Sequence, residues 1–524
     1  MQSQRDMQQI DKLTHESHIP DWALLATVFV TGGCVLIIEL MGTRILAPYF
    51  GSGIYTWSAL IAITLAALAL GYSFGGRLAD RLPKTTMLYS LCLAAGLWTL
   101  STPMLARALL PLLAHIPDIR VGVLISSTVL YFPNLFLLGA IGPYVIRLMT
   151  RRRENAGSVS GLVFAISTIG SLTGALVTGF MLIPHYGVQA IFTFSGALLL
   201  ALAIFGNFRP KFIGYAIFLA SIVVALIFFS RKQPDENISI EILEEVPSFY
   251  GQLQVIRRGK EKALLVDGIG QNYVYDGNSY ATPYINFVSA LPVLSQRPVK
   301  PARKALVIGL GAGQLTMLLQ QAGFDVDAVE IDPEVGELAK KHFGFSLPPE
   351  HIHYMDGRLF LLRDRSMYEY IVLDAFSAEQ IASHLLSREA LSETSAHLTE
   401  TGLLAINVTS VITGNDIGAI QHTLQTVFPH VHTFSLDSGH ELTSIVFIAS
   451  RSPIQLSRTD TSLSHSQLAA ANRFIAGELP DLHSGVLLTD DYNPLSFQRR
   501  NIQLLWREAM IDYLGDGNMG WLML

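Results

Sequence analysis

The chain has 524 residues, half of them hydrophobic, and a mean hydropathy of +0.39. A formal net charge of −6, with no basic stripe interleaved with aromatics, argues against a nucleic acid partner. Its two cysteines, Cys34 and Cys92, both lie in apolar stretches, which leaves neither a disulfide framework nor a zinc site.

Residues 1–21 are polar and read as a tail. From Trp22 to Ser230 apolar stretches recur at the length a helix needs to cross a bilayer. Spans are expected near Trp22–Leu46, Ile54–Gly75, Thr86–Arg107, Val121–Leu148, Val159–Ile183, Val188–Gly206 and Phe212–Ser230, giving a membrane domain over 22–231. The first is not a cleavable signal, because its flank is not basic and no small-residue cleavage site follows. Basic loops at Arg77, Arg81 and Lys84, at Arg147 and Arg151 to Arg153, and at Arg209 with Lys211 all agree with a cytoplasmic N-terminus. Seven crossings would then carry the rest of the chain outside the cell. The tract from Thr86 to Leu148, interrupted by Pro103, Pro111 and Pro117, is the place where a broken or additional span would restore a cytoplasmic placement. Within the first span, Glu39 and Arg44 are expensive in lipid and read either as a substrate-binding pair or as groups paired at the interface.

Charge rises after Arg231, and the character changes. Ala305–Ile308 read as a buried strand, Gly309, Gly311 and Gly313 as a tight turn, and Gln314–Ala322 as a helix. Glycines let a backbone approach a ligand closely while the helix N-terminus offers it N–H groups. Glu330, at the end of the next strand and followed by Asp332, is placed to accept from both hydroxyls of a ribose. Asp356 and Gly357 close a third strand, where a carboxylate and a backbone N–H suit an adenine edge. A fourth strand, Tyr370–Leu373, ends at Asp374 on the carboxyl edge that binds ligands in open α/β sheets. This order suits an S-adenosylmethionine-type nucleoside better than a dinucleotide. Asp490 and Asp491 in "LLTDDYNP" are either further amine ligands or a polar turn before Pro494. His351 with His353 and His430 with His432 have strand-like spacing, with no cysteine or acid in sequence to complete a metal site.

The stretch from about Glu241 to Val446 resembles the polyamine aminopropyltransferases (spermidine synthases), in particular their membrane-fused bacterial relatives. The resemblance is carried by Tyr250-Gly251-Gln252, by Val266-Asp267-Gly268-Ile269-Gly270-Gln271, by Tyr280 as the first residue of a Y-H-E element, and by the glycine loop. Glu330 to Asp332, Asp356-Gly357 and Asp374 as the acid of a D-S-S-D gate complete it. It implies a small β-subdomain (232–290) ahead of a doubly wound, Rossmann-like methyltransferase-type domain (291–510), with a tail at 511–524. It also implies Gln271 as a donor ligand, Asp374 and Tyr280 as catalytic groups, and a homodimer. The departures are Ala312 where the family's amine-binding Asp stands, Gln314 at the last glycine of the loop, Ser377 at the second gate Asp, and Ala281 and Thr282 in place of His and Glu. In the membrane half, Gly71–Lys84 and Gly161–Gly179 resemble parts of major-facilitator transporters; small residues that let helices pack closely are the simpler reading.

A sulfonium is a good leaving group, so the enzyme must align donor and acceptor and keep the attacking amine neutral. The expectation is therefore a multi-pass inner-membrane enzyme using S-adenosylmethionine or its decarboxylated form, releasing methylthioadenosine, with an amine or membrane-associated acceptor and no metal. Its soluble domain is expected in the cytoplasm. Intramolecular donor cleavage, methyl transfer, and a transporter or sensor with a nucleoside-binding domain are the alternatives.

Overall fold

The computed structural model describes residues 19–514 except 52, 117, 151–154, 208–239, 276–278, 281, 296–302, 378–379, 437–440, 458–461 and 483–484. The chain divides into one compact unit made of Met1–Leu46, Ile54–Lys232 and Leu524, and a second made of Ala47–Gly53 with Gln233–Met523.

Six described helices are long and apolar enough to cross a membrane: α1 (Asp21–Phe50), α2 (Ile54–Arg81), α3 (Thr85–Leu113), α4 (Ile119–Met149), α5 (Ala156–Leu182, its last turn π-helical) and α6 (Val188–Gly206). The seventh expected span, Phe212–Ser230, lies outside the described residues, as do Arg151 to Arg153, Arg209 and Lys211. Among the described residues no extra span occurs between Thr86 and Leu148, and Pro117 lies outside them. Pro103 and Pro111 sit inside α3, and Pro133 and Pro143 inside α4, without ending either helix. In lipid a freed carbonyl is cheaper to satisfy through a neighbouring helix than to unfold around.

Small residues bring these helices together. A side chain at Gly75 of α2 would strike the backbone of Ala140 in α4, and one at Gly174 of α5 would strike Gly33 of α1. Both motifs that resemble transporter segments thus serve close packing. Between α3 and α4, Asn134 Nδ2 donates to Thr99 Oγ1 at 2.9 Å, and the Trp98 indole donates to the Leu130 carbonyl at 2.8 Å.

The second unit opens with an antiparallel sheet of β1 (Ile240–Pro247), β2 (Gln252–Arg258), β3 (Glu261–Val266), β4 (Ile269–Tyr275) and β5 (Ser279–Tyr280), paired in that order. Helix α7 (Pro283–Leu294) leads into the main sheet. There β6 (Arg303–Ile308), β7 (Phe324–Glu330), β8 (Ile352–Tyr354), β9 (Tyr368–Leu373) and β12 (Leu398–Val411) run parallel. β13 (His430–Ser435), β14 (Leu442–Ser450) and β15 (Glu478–Leu479) add antiparallel pairs, in the order β15-β13-β14-β12-β9-β6-β7-β8. A short hairpin, β10 (Phe376–Ser377) with β11 (Gln380–Ile381), follows β9.

Buried runs such as Ala305–Ile308 and Tyr370–Leu373 are covered on both sheet faces, as parallel strands require. On one face α7 packs against α13 (His465–Ala476), Phe287 stacking on Phe474 with centroids 4.6 Å apart and meeting Phe434 edge-on at 5.6 Å. Phe287→Ala would cost roughly 3–5 kcal/mol there. On the other face, Leu361 of α10 (Gly357–Arg363), Leu391 of α11 (Arg388–Ala396) and Ile420 of α12 (Asn415–Val427) join one cluster with Ile308 and Leu373. The parallel strands consequently present their carboxyl ends along one edge, and the loops that follow them define the site.

Candidate functional site

A cavity of about 470 Å³ runs along that edge, from Asp356 after β8 to Ser444 on β14, roofed by the small β-sheet. At the first end, β6 stops at Ile308 and turns through Gly309 and Gly311, with φ of 97° and 52°. A Cβ on Gly309 would collide with the Asp374 carbonyl, and one on Gly311 with Asn272 Oδ1, so both the backbone angle and the space demand glycine. Asn272 Oδ1 accepts from Ala312 N at 2.8 Å, which ties the loop to β4. Gly313 caps α8 (Gln314–Gln321).

The acids of the next strands stand around this turn. Glu330 accepts from Leu310 N at 2.9 Å and from Asp332 N at 3.0 Å; burial raises its carboxyl above the ordinary value, against the pull of those N–H groups. Asp332 takes the Ser248 hydroxyl on one oxygen and, with the other, caps α9 (Pro333–Phe343) through Glu334 N at 3.1 Å. Asp356 caps α10 through Leu359 N at 3.0 Å and meets His384 Nε2 at 2.7 Å. Burial works to raise Asp356, but Leu359 N–H and His384 outweigh it and hold the group below its ordinary value. Gly357 and Gln271 also line the cavity, the Gln271 amide donating to the Ile269 carbonyl at 3.2 Å.

At the far end Asp374 is held on both oxygens. Tyr284 Oη donates to Oδ2 and Asn407 Nδ2 to Oδ1, each at 2.9 Å. Burial lifts Asp374 above the ordinary aspartate range, with the Asn407 and Tyr284 hydrogen bonds opposing; burial, then the Asp374 charge, holds the Tyr284 phenol well above its own. An acid in this state is a proton acceptor of raised basicity.

The phenol that reaches Asp374 belongs to Tyr284. Tyr280 lies in β5 opposite Val274. Pro283 starts α7, and the residue after it, in the first helical turn, is the one aimed at the end of β9. Asp490 does not line the cavity. Arg358 donates to both its oxygens at 2.7 Å and Ser387 Oγ to Oδ1 at 2.6 Å, and Arg358 together with Ser387 draws it down to about 2. Asp491 is exposed in the adjoining turn. Glu39 and Arg44 both lie in α1, each partly buried. His351 does have an acidic neighbour: its Nδ1 lies 2.7 Å from Asp327 Oδ1, brought there by the β7–β8 pairing. Among the described residues no group of three or more His, Cys, Asp or Glu is arranged to hold a metal ion.

Among the lining groups that escaped the sequence reading are Asn272, Tyr284, Phe376, His384, Asn407 and Trp506. Asn407 left a signal, being a lone amide inside the apolar run "LLAINV", and Tyr284 another, opening an apolar helix after proline. Trp506 left none. It lies on α15 (Arg500–Leu514), next after α14 (Leu495–Gln498), and meets the Phe376 ring edge-on at 6.0 Å. Arg499, between these helices and 1% exposed, donates to Asp416 Oδ2 and to the Thr409 carbonyl, both at 2.8 Å, fixing the helix over the end of β12. Tyr273 of β4 meets Tyr513 edge-on at 5.4 Å and holds the other end.

Over 170 residues the chain is 32% identical to the polyamine aminopropyltransferase of Vibrio vulnificus, covering 30% of this chain and 54% of that one. The chain is homologous to the polyamine aminopropyltransferases. A similar match to the polyamine aminopropyltransferase of Corynebacterium efficiens is 24% identical over 437 residues, 76% of this chain and 80% of that one. The N-terminal histidine N-methyltransferase of Emericella nidulans is 32% identical over 158 residues, 28% of each chain. The chain thus spans about half the length of the Vibrio relative and under a third of the Emericella one. No protein-family model matches the chain. The resemblance of the membrane half to major-facilitator transporters gains no support from these matches.

Proposed function

We propose that the second unit transfers the propyl-side group of its donor, 3-aminopropyl from decarboxylated S-adenosylmethionine or 3-amino-3-carboxypropyl from S-adenosylmethionine, to an amine and releases methylthioadenosine. The observation that carries this reading is the position of Asp374: a buried carboxylate of raised basicity, clamped by Tyr284 and Asn407, in the same cavity as a glycine turn and Glu330. Glycine at 309 and 311 lets the turn pack directly against the end of β9 and against Asn272, which keeps its backbone on the cavity lining. Glu330 and Asp332 would face the ribose, and Asp356 with the Gly357 backbone the adenine edge. Gln271 would complete the donor site from the roof.

In the reaction the amine lone pair forms a bond to the propyl carbon on sulfur. The C–S bond breaks, its electron pair returns to sulfur as a neutral thioether, and the proton shed by the new ammonium goes to Asp374. Alignment supplies most of the rate, and proton acceptance contributes roughly 10²–10⁴-fold. Tyr284 orients Asp374; Tyr280 stays a candidate for orienting the amine. The membrane unit would keep the enzyme beside a membrane-associated acceptor, with Glu39 and Arg44 as candidate ligands there, and a homodimer is the expected assembly.

The test is mass spectrometry of the nucleoside released when the full chain, in detergent or lipid, meets each donor with an amine mixture or membrane extract. Methylthioadenosine is expected. S-adenosylhomocysteine instead would establish methyl transfer, the reading favoured by the similarity to the Emericella methyltransferase. Methylthioadenosine without any amine would establish intramolecular cleavage, and donor binding without any product would leave a sensor or transporter. Sidedness is tested separately with a cysteine at exposed Glu400 and a membrane-impermeant maleimide in intact cells. Protection corresponds to six crossings from a cytoplasmic N-terminus and a cytoplasmic enzyme unit, our placement; labelling corresponds to a seventh.

A further inference from the structure

We propose that the acceptor of this site is a primary monoamine with an apolar tail, not a diamine; the inference rests on the aminopropyl-transfer reading above. Among the described residues lining the cavity the carboxylates are Glu330, Asp332, Asp356 and Asp374. The first three stand at the ends of β7 and β8, each engaged by backbone N–H groups, a hydroxyl or His384. Beyond the glycine turn, on the β9, β12 and β14 side, Asp374 is the one carboxylate among the described lining residues. A diamine entering this end carries its reacting nitrogen to Asp374 and must leave its second, charged nitrogen further along the cavity.

Among the described residues, what it meets there is neutral. Thr409, Ser444 and Ser496 supply hydroxyls, and Phe376 and Trp506 supply an edge-to-face aromatic wall. A buried ammonium without a carboxylate partner is penalised heavily, while an alkyl or aryl chain gains by leaving water. The wall is a fixed part of the fold. Arg499, paired with fully buried Asp416 and bonded to the Thr409 carbonyl, pins the start of the helix that carries Trp506. Met510, next along the same face, receives the Tyr273 hydroxyl at 3.4 Å. The site therefore selects one amine, through Asp374, and an uncharged tail, through Trp506 and Phe376.

The experiment compares hexylamine and benzylamine with 1,4-diaminobutane and 1,5-diaminopentane as acceptors for the full chain, with each donor, reading methylthioadenosine and the alkylated amine. Higher kcat/KM for the monoamines by about tenfold or more is expected. A preference for a diamine overturns the inference while leaving aminopropyl transfer standing. S-adenosylhomocysteine as the product overturns the reading beneath it, and this inference with it. If no amine turns over, equilibrium binding of the same amines with methylthioadenosine present makes the same comparison, and tighter binding of a diamine, or of none, overturns it. Trp506→Ala is expected to raise KM for hexylamine about tenfold, to leave methylthioadenosine affinity unchanged, and to spare methylamine, which has no tail. Trp506→Phe should recover most of the loss. An equal loss for methylamine would assign Trp506 to the fold alone and remove the proposed tail site.

Discussion

At the glycine-turn end of the cavity the turn and the acids come from one continuous stretch, Gly309 to Gly357, each where a parallel strand ends, with Gln271, Asn272 and His384 added from outside it. The Asp374 end draws instead on β4, α7, β12 and the C-terminal helix α15, and its chemistry exists only where these meet. The first end is charged and rich in backbone N–H groups, suited to a ligand of fixed shape. The second has one acid and an aromatic wall. A fold of this kind keeps the donor site on the sheet edge and changes its acceptor by changing the elements laid over it.

The largest expected effect separates chemistry from binding at the boundary of the two ends. Asp374→Asn should lower kcat by roughly 10²–10⁴-fold while leaving donor affinity within a few-fold. In the parent enzyme burial raises the Asp374 carboxyl, so the proton-accepting form disappears as pH falls through that raised value. The acid limb of kcat should accordingly lie above the ordinary aspartate pKa of about 3.9. Because a raised carboxyl costs folding free energy once it ionises, the variant should keep its thermal stability at neutral pH.

Next comes the anchor of the far end. Arg499→Met would leave the buried Asp416 without its cation and held by the Ser410 hydroxyl alone, an expected loss of about 3–5 kcal/mol seen as a lower unfolding midpoint of the second unit. Recovery of stability in the double variant Arg499→Met with Asp416→Leu would show that the pair serves position more than stability. Glu330→Gln tests the first end. It places an amide N–H against the N–H of Leu310 or Asp332 and removes the charge-assisted acceptor, for a loss of about 10–100-fold in donor affinity by calorimetry with methylthioadenosine, without a shift in acceptor preference.

The smallest effect falls outside the cavity. Asp490→Asn should lower stability at neutral pH by no more than about 1 kcal/mol, because Asp490 is partly exposed and its pairing with Arg358 is screened. Its pKa is depressed to about 2, so this stability is present above the ordinary pKa and lost as pH falls through the folded one. The gap between parent and variant melting curves should narrow as pH drops from about 5 toward 2. Unchanged turnover would agree with its place in the turn, and a raised acceptor KM would return Asp490 to the amine site.

The sequence by itself determined the two-part organisation, six of the membrane-length helices, four of the five parallel strands and the glycine turn with its strand-end acids. Each of these depends on local rules: apolar length for a span, buried runs for a parallel strand, and a side chain placed at a strand's carboxyl end by chain direction alone. Only the tertiary structure decided that Tyr284 meets Asp374, that Asp490 turns to Arg358, that Asp327 stands beside His351, and that Trp506 closes the far end. These are choices among residues far apart in sequence. They are made by helix phase, strand register and the buried Arg499–Asp416 pair, and none of those has a signature within a single stretch of chain.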